Sequence, residues 1–188
     1  MTTKVLGISG SLRRGSYNAA LLRAATQLMP EGAALEVASI RGVPLYDGDV
    51  EAQGIPATVS QLKEAIVAAD GVLLVTPEYN NSIPGVFKNT IDWLSRPSSD
   101  ARRVFGGRRF ALIGASPGAF GTTLSQAAWL PVMRTLGVQL WTGGRLMVAR
   151  ANNVFDESGV LKDATTEEAL RQFLAGFVGF LRRTPPPA

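Results

Sequence analysis

Lys4-Val5-Leu6-Gly7-Ile8-Ser9 is a short apolar run, and Gly10-Ser11-Leu12-Arg13-Arg14-Gly15-Ser16-Tyr17-Asn18 follows it as a polar loop. The run reads as a buried parallel strand, because a strand covered on both faces shows continuous rather than alternating hydrophobicity. Beyond the loop, Leu21, Ala24, Ala25 and Leu28 recur at the spacing of one helical face, and Pro30-Glu31-Gly32 closes that helix. Strand, glycine-serine loop and helix in that order form the first unit of a sheet whose strands are joined by helical crossovers.

The same alternation continues along the chain. Leu35-Glu36-Val37-Ala38 reads as the second strand, with a turn-rich stretch from Arg41 to Gly54 after it. Val59, Leu62, Ile66 and Ala69 mark a second helix, punctuated by Asp70-Gly71. Val72-Leu73-Leu74-Val75-Thr76 is the clearest buried strand, and Pro84 to Leu94 suits a short helix with proline near its first turn, where a missing N–H matters least. Phe110-Ala111-Leu112-Ile113-Gly114 is the fourth strand, and Thr122 to Leu136 a helix interrupted near Pro131. Val138 to Trp141 and Leu146 to Val148 supply the last extended segments. Thr165-x-x-Glu168 is a capping-box pattern ahead of Leu170, Phe173, Leu174, Phe177 and Leu181 on one helical face. The pattern predicts a doubly wound, three-layer α/β domain with a five-stranded parallel sheet. It also predicts one domain over residues 1–183 and a frayed, disordered proline-rich tail over residues 184–188. A length of 188 residues fits a single core.

Composition narrows the chemistry. The chain has no cysteine and no histidine, which excludes thiol redox chemistry, thiolate metal sites and the commonest general base and metal ligand. Chemistry must therefore run on carboxylates, hydroxyls, amides, arginines or a borrowed cofactor, and no metal site is expected. A formal net charge of +4 raises nucleic acid as a partner, but the basic residues are spread along the chain apart from Arg102, Arg103, Arg108 and Arg109. Phe105 is the single aromatic within that cluster and no aromatic-interleaved basic stripe accompanies it, so it reads as a solvated loop or as a basic rim for an anionic ligand. No apolar run approaches the ~18 residues of a membrane span, and the start shows no signal-peptide core; the expectation is a cytoplasmic protein without membrane or nucleic-acid partners.

In open α/β sheets ligands bind outside the carboxyl ends of the strands, so the loops after strands one, three and four are the candidates. The first offers Ser11 and Ser16 hydroxyls, the Asn18 amide, the Arg13 guanidinium and the opening of a helix, a donor set that suits a terminal monophosphate. Its spacing matches neither the Walker loop nor G-x-G-x-x-G, and taken alone it is equally well a Ser/Gly turn with an ordinary N-cap. The third loop, Pro77-Glu78-Tyr79-Asn80-Asn81-Ser82-Ile83-Pro84-Gly85, has peptide N–H groups and amides for the polar edge of a flat heterocycle, or is an Asn/Pro turn. Gly114-Ala115-Ser116-Pro117-Gly118 matches the nucleophile elbow G-x-S-x-G, yet a serine hydrolase lacks its histidine base here, and Lys4, Lys63, Lys88 and Lys162 show no signature of a replacement. A glycine-rich loop closing over a cofactor is the better account.

Together these segments resemble the NADPH-dependent FMN reductase family, in its bacterial quinone and chromate reductase branch. The resemblance rests on residues 10–18, on Thr76-Pro77-Glu78-Tyr79-Asn80, and on the long run from Ser82 through Lys88-Asn89-Thr90-Ile91-Asp92-Trp93 to Ser95. It implies a flavodoxin-like fold with strand order 2-1-3-4-5 and noncovalent FMN at the switch point. Ser11, Arg13, Ser16, Tyr17 and Asn18 would then hold the phosphate and ribityl chain. Pro77, Glu78, Tyr79 and Asn80, largely through backbone, would hold the isoalloxazine, with Ser116 and Gly118 on the facing loop. The family takes a hydride from NADPH or NADH and passes electrons to quinones, free flavins or oxyanions such as chromate, commonly as homodimers or homotetramers. Leu124 stands where many relatives carry arginine, and residues 97–107 form a longer segment than in relatives.

With the cofactor carrying the chemistry, no side chain need act as acid or base in hydride transfer, which suits a chain without histidine or cysteine. The expectation is a ping-pong NAD(P)H-dependent FMN/quinone reductase with no catalytic side chain of its own. The competing readings are a flavodoxin-type electron shuttle, against which the basic charge and Arg13 count, and a flavin-bound sensor.

Overall fold

Gly71–Val75 is buried at all five positions and Arg109–Ala115 at all seven, so the two strands form the centre of the molecule. The computed structural model describes residues 2–183; the expected proline-rich tail lies outside the described residues. In chain order the elements are β1 (Thr3–Ser9), α1 (Tyr17–Gln27), β2 (Ala33–Ala38), α2 (Gly48–Ala52), α3 (Ala57–Ala68), β3 (Gly71–Val75) and α4 (Gly85–Leu94). They continue with α5 (Ser98–Phe105), β4 (Arg109–Ala115), α6 (Thr123–Thr135), β5 (Gln139–Leu140), β6 (Met147–Val148), α7 (Ala151–Val154) and α8 (Ala164–Arg183).

The sheet is parallel in the order β2-β1-β3-β4-β5, with β6 also paired to β4. This is the flavodoxin-like doubly wound arrangement, and the switch point lies between β1 and β3. One face packs α1, α7 and α8 around Leu21, Leu73, Ile113, Leu174 and Phe177. The other packs α3 to α6 around Ile8, Ile66, Leu74, Phe87, Phe110 and Trp129. On α8 the residues Leu170, Phe173, Leu174, Phe177 and Leu181 are all buried, as their spacing requires.

The two last extended segments form short strands, as expected: β5 pairs with Arg109 and Phe110, β6 with Gly114 and Ala115, and residues 141–146 bulge between them, while two expectations about the helices are corrected. The bulge carries Trp141 over the Gly143-Gly144 pair, where a Cβ would come within 2.7 and 2.8 Å of the indole. The helix over Pro131 is not interrupted, because buried Trp129 and Met133 hold both halves of α6 on the sheet while Pro131 faces solvent. At α8 the cap is Asp163 rather than Thr165: its carboxylate accepts the Thr166 N–H at 2.8 Å and the Thr166 hydroxyl at 2.7 Å. Those two bonds hold the Asp163 carboxyl below the usual carboxylate range.

Candidate functional site

The first loop leaves β1 at Gly10, whose N–H donates to Val75 O at 2.9 Å across the switch point. A side chain at position 10 is impossible, since a Cβ would lie 2.1 Å from the Phe87 ring. The loop then runs exposed through Leu12 to Gly15 and enters α1 at Ser16, which is buried and whose hydroxyl caps the helix by accepting the Ala19 N–H at 3.2 Å. No acidic residue precedes Glu31 in the chain, and none lies in the first turn of α1. The orphan N–H groups and positive end of α1 therefore face the loop without a carboxylate from their own segment to neutralise them.

Ser11 Oγ accepts the Arg13 N–H at 3.3 Å, and the Arg13 guanidinium reaches back to Gly15 O at 3.2 Å. Both side chains keep most of their donors for a ligand. From outside the loop, Arg41 donates to Leu12 O at 2.8 Å and braces it. Ser9 Oγ, at the end of β1, is buried with no hydrogen-bond partner, and Ser9, Ser11 and Ser39 share the wall of a hollow of about 220 Å3. Hydroxyls, a forked guanidinium and a helix N-terminus form a donor set that suits a phosphate monoester.

Asn18 has a different emphasis from the one expected. It is buried, its Nδ2 donates to Ala115 O at 2.8 Å, and its Oδ1 accepts the Ala115 N–H at 2.9 Å. Thr76 N–H pairs with Ile113 O, but at Pro77 the chain leaves the sheet; two residues further along β4 the Asn18 amide serves Ala115 as a strand neighbour would. One Nδ2–H and one Oδ1 lone pair remain for a ligand. Tyr17 beside it packs against Phe155, ring centroids 6.0 Å apart.

The third loop is a tight turn. Tyr79 and Ser82 exchange backbone hydrogen bonds at 3.2 and 3.0 Å, with Asn80 and Asn81 in the left-handed region at φ 49° and 59°. Asparagine tolerates that region better than most residues, which explains the pair. Pro77 is buried, while Tyr79 and Asn80 are exposed. Glu78 points to α6: Oε2 accepts the N–H groups of Leu124 and Ser125 at 2.8 and 2.9 Å. Thr122, the residue at the cap position, makes no side-chain cap bond, so the carboxylate of the third loop caps the helix that follows the fourth. Beneath it the Thr76 hydroxyl donates to Pro77 O at 2.9 Å, takes the Trp129 indole N–H at 3.0 Å and lies 2.9 Å from Ser125 Oγ, which completes its hydrogen-bonding capacity.

In the fourth loop Ser116 Oγ accepts the Gly118 N–H at 3.1 Å, and Gly118 O accepts the Arg150 N–H at 3.0 Å. Ser116 also exchanges backbone bonds with Val148 and Ala151 at 2.9 and 3.1 Å. Of the lysines, Lys63 is committed to Arg96 O and Asp100, and Lys88 to Asp92. The nucleophile-elbow pattern is thus a folded turn wired to β6 and α7. Arg41 fastens the first loop, and Glu78, Thr76, Ser125 and Trp129 fasten the third loop to α6; local sequence carries no signal for any of these pairings.

The basic segment lies elsewhere. Arg102 and Arg103 are on α5, and Arg108 and Arg109 lead into β4, at the end opposite the loops; the seven residues of β4 span about 20 Å. Arg103 is tied to Asp100 at 2.6 Å and Glu64 at 2.9 Å, and Arg108 donates to Arg103 O and Val67 O at 3.0 and 3.1 Å. Asp100, held first by Arg103 and then by Lys63, has its carboxyl lowered to about 2. A second polar network straps the β2–α3 connection to α4: Tyr46 and Arg96 both donate to Glu51 Oε2, at 2.7 and 2.8 Å. That shared oxygen raises the Tyr46 hydroxyl and lowers the Glu51 carboxyl.

Among the described residues no helix is long and apolar enough to cross a membrane. The sequence profile of the NADPH-dependent FMN reductase family matches residues 3–153. The chain is 45% identical to an NAD(P)H-dependent FMN reductase of Pseudomonas aeruginosa over 180 residues, 96% of this chain and 96% of that one. It is 35% identical to a 2-hydroxy-1,4-benzoquinone reductase of a Burkholderia species over 182 residues, 97% of this chain and 98% of that one. A solved structure of the flavoenzyme NAD(P)H:(acceptor) oxidoreductase of Paracoccus denitrificans superimposes with a TM-score of 0.86 at 31% identity, covering 97% of this chain and 98% of that one.

Proposed function

The chain belongs to the NADPH-dependent FMN reductase family, an oxidoreductase family, and from that premise we propose that it is an NAD(P)H:quinone reductase acting through noncovalent FMN. The observation that carries this reading is the first loop: hydroxyls of Ser11 and Ser16, the Arg13 guanidinium and the start of α1 lie within one short segment with no acidic residue before Glu31. Such a loop attracts and orients a phosphate dianion. The third and fourth loops, joined through Glu78 and α6, leave the residues Tyr79, Asn80 and Gly118 exposed at the carboxyl ends of β3 and β4, beside the switch point. Under the proposal Pro77, Glu78, Tyr79 and Asn80 lie along the flavin ring, Ser116 and Gly118 face it, and Ser11, Arg13, Ser16, Tyr17 and Asn18 hold the phosphate and ribityl end.

When bound, FMN supplies the two-electron chemistry. The chain would supply position and polarity: Ser11, Ser16, Arg13 and the start of α1 would hold the phosphate end and keep the site at a positive potential that suits negative charge. The net reaction balances as NAD(P)H + H+ + quinone → NAD(P)+ + hydroquinone. The proposed kinetic order is ping-pong, in which the nicotinamide would leave before the acceptor enters. Quinones are the principal acceptors proposed, with free flavins and chromate as further ones. Placement in the cytoplasm follows from the supply of NAD(P)H, and a homodimer or homotetramer is the proposed assembly.

The deciding experiment is an absorption spectrum of purified protein before and after anaerobic NADPH or NADH. Flavin bands that bleach and return with benzoquinone support the proposal, and parallel double-reciprocal lines support the ping-pong order. Bands that persist with both nucleotides turn the reading to an electron shuttle or sensor. A protein that neither carries nor binds FMN overturns it.

A further inference from the structure

Large apolar side chains that remain exposed are not scattered over this surface. Of the eleven among the described residues, eight lie on or next to the loops at the carboxyl edge of the sheet, and Phe120 is the most exposed, at 82%. Single exposed hydrophobics are unremarkable, but a concentration around one mouth marks a binding surface. Tyr79 at 45% and Leu124 at 47% stand on the elements that Glu78 ties together, and Phe120 lies between the fourth loop and α6.

The backbone that carries Phe120 is fixed although its ring is free. Gly118 is bonded on both sides, to Ser116 Oγ and to Arg150 N–H, and Phe120 O accepts the Thr123 hydroxyl at 2.7 Å. Gly121 is buried at φ 63°, where a Cβ would lie 2.7 Å from Met147 O. A rigid, glycine-bounded turn that holds an aromatic ring out into water preorganises a contact with something flat and apolar.

Resting on the reading proposed above, we infer that Phe120 is the specificity-determining residue for the electron acceptor, stacking on quinone rings and selecting them over oxyanions. An aromatic face carries negative electrostatic potential, so it attracts a flat electron-poor quinone and offers nothing to a hydrated, doubly negative chromate. The site therefore takes neutral aromatic acceptors by apolar contact and admits oxyanions only without that contact.

The test compares menadione, chromate and ferricyanide as acceptors for the FMN-loaded wild type, Phe120→Ala, Phe120→Trp and, as a control, Val160→Ala on the remote α7–α8 connection. The ratio of kcat/KM for menadione to that for chromate falls roughly tenfold in Phe120→Ala, mostly through KM, and recovers in Phe120→Trp. FMN affinity, followed by quenching of flavin fluorescence, stays at the wild-type value in every variant. An unchanged ratio, or equal losses for all acceptors, overturns the inference while leaving the proposed activity standing. A wild type that oxidises neither nucleotide with any acceptor overturns the activity itself. A change in mass by light scattering on Phe120→Ala assigns the ring to a contact with a second copy and also overturns the inference.

Discussion

Replacing Asn18 by alanine tests whether this side chain first serves the protein or the cofactor. In the structure its amide closes two hydrogen bonds, of 2.8 and 2.9 Å, to the carbonyl and N–H of Ala115, a residue only 2% exposed. The side chain itself is 4% exposed as a residue, so water has little access to repair the loss. A buried backbone donor or acceptor left unmade costs about 1–3 kcal/mol, and two such groups bring the expected destabilisation to about 2–6 kcal/mol. For a chain of this length each kcal/mol lowers Tm by about 2–4 °C, so the apoprotein should melt about 4–24 °C below wild type. Circular dichroism melts of FMN-free protein give the number directly. Asn18→Asp separates the two bonds: it keeps an acceptor for the Ala115 N–H but sets a carboxylate oxygen against the Ala115 carbonyl, and should also melt below wild type. If the apo Tm of Asn18→Ala matches wild type while FMN affinity collapses, the structural reasoning is refuted and the amide belongs to the ligand.

Three further perturbations follow from the same contacts. Glu78→Ala removes the carboxylate that caps α6 from the third loop; a loss of about 0.5–2 kcal/mol in the apoprotein, typical of an N-cap, should accompany weaker FMN retention, and urea titration with flavin fluorescence measures both. Arg13→Ala should weaken FMN binding more than it changes turnover at saturating FMN, and equal flavin affinity in mutant and wild type would defeat that assignment. Asp100 has its carboxyl lowered to about 2 from 3.8, so its folded-state advantage is fully present above pH 4 and is lost as pH falls through 2. That shift corresponds to about 2 kcal/mol. Asp100→Asn should lose at least that much in urea denaturation at pH 7, because Lys63 is then left buried without its carboxylate, and the gap to wild type should narrow as the pH approaches 2.

Elements were legible in the sequence where they depend on neighbours along the chain. Val72 to Val75 is apolar throughout because β3 is covered on both faces, and the spacing of Leu170, Phe173, Leu174, Phe177 and Leu181 is simply the buried stripe of α8. Errors arose where two local signals compete within a few residues. Asp163 and Thr165 both precede the α8 stripe, and the carboxylate wins because it accepts from the N–H and the hydroxyl of Thr166 together. Pro131 should break α6, yet the burial of Trp129 and Met133 outweighs one absent hydrogen bond. The loops of the site were identifiable because topology alone places ligands at strand ends, while the side chains that fasten them were not. Asn18 meets Ala115 across 97 residues, Glu78 meets Leu124 across 46 and Arg41 meets Leu12 across 29, and no periodicity or spacing reports a pair of that kind.

Those long-range fasteners bear on how the site works. Each loop alone is a short polar connection with exposed residues, which would ordinarily be ordered by its ligand at the expense of affinity. Here the first loop is tied to β4 through Asn18, the third to α6 through Glu78, and the Thr76–Ser125–Trp129 cluster joins β3 to α6 underneath. Every tie uses a polar side chain in a fixed, satisfied bond, so the mouth holds its shape before anything enters it. A chain without histidine or cysteine has no imidazole proton shuttle and no thiol to contribute to electron transfer. What it can contribute is a preformed cradle with a positive first loop, and its buried polar residues are arranged for that. Removing a fastener should therefore act on cofactor retention through the apoprotein's rigidity, whereas removing Arg13 should act on retention alone. Measured together, apo Tm and FMN affinity separate the residues that build the cradle from those that touch what lies in it.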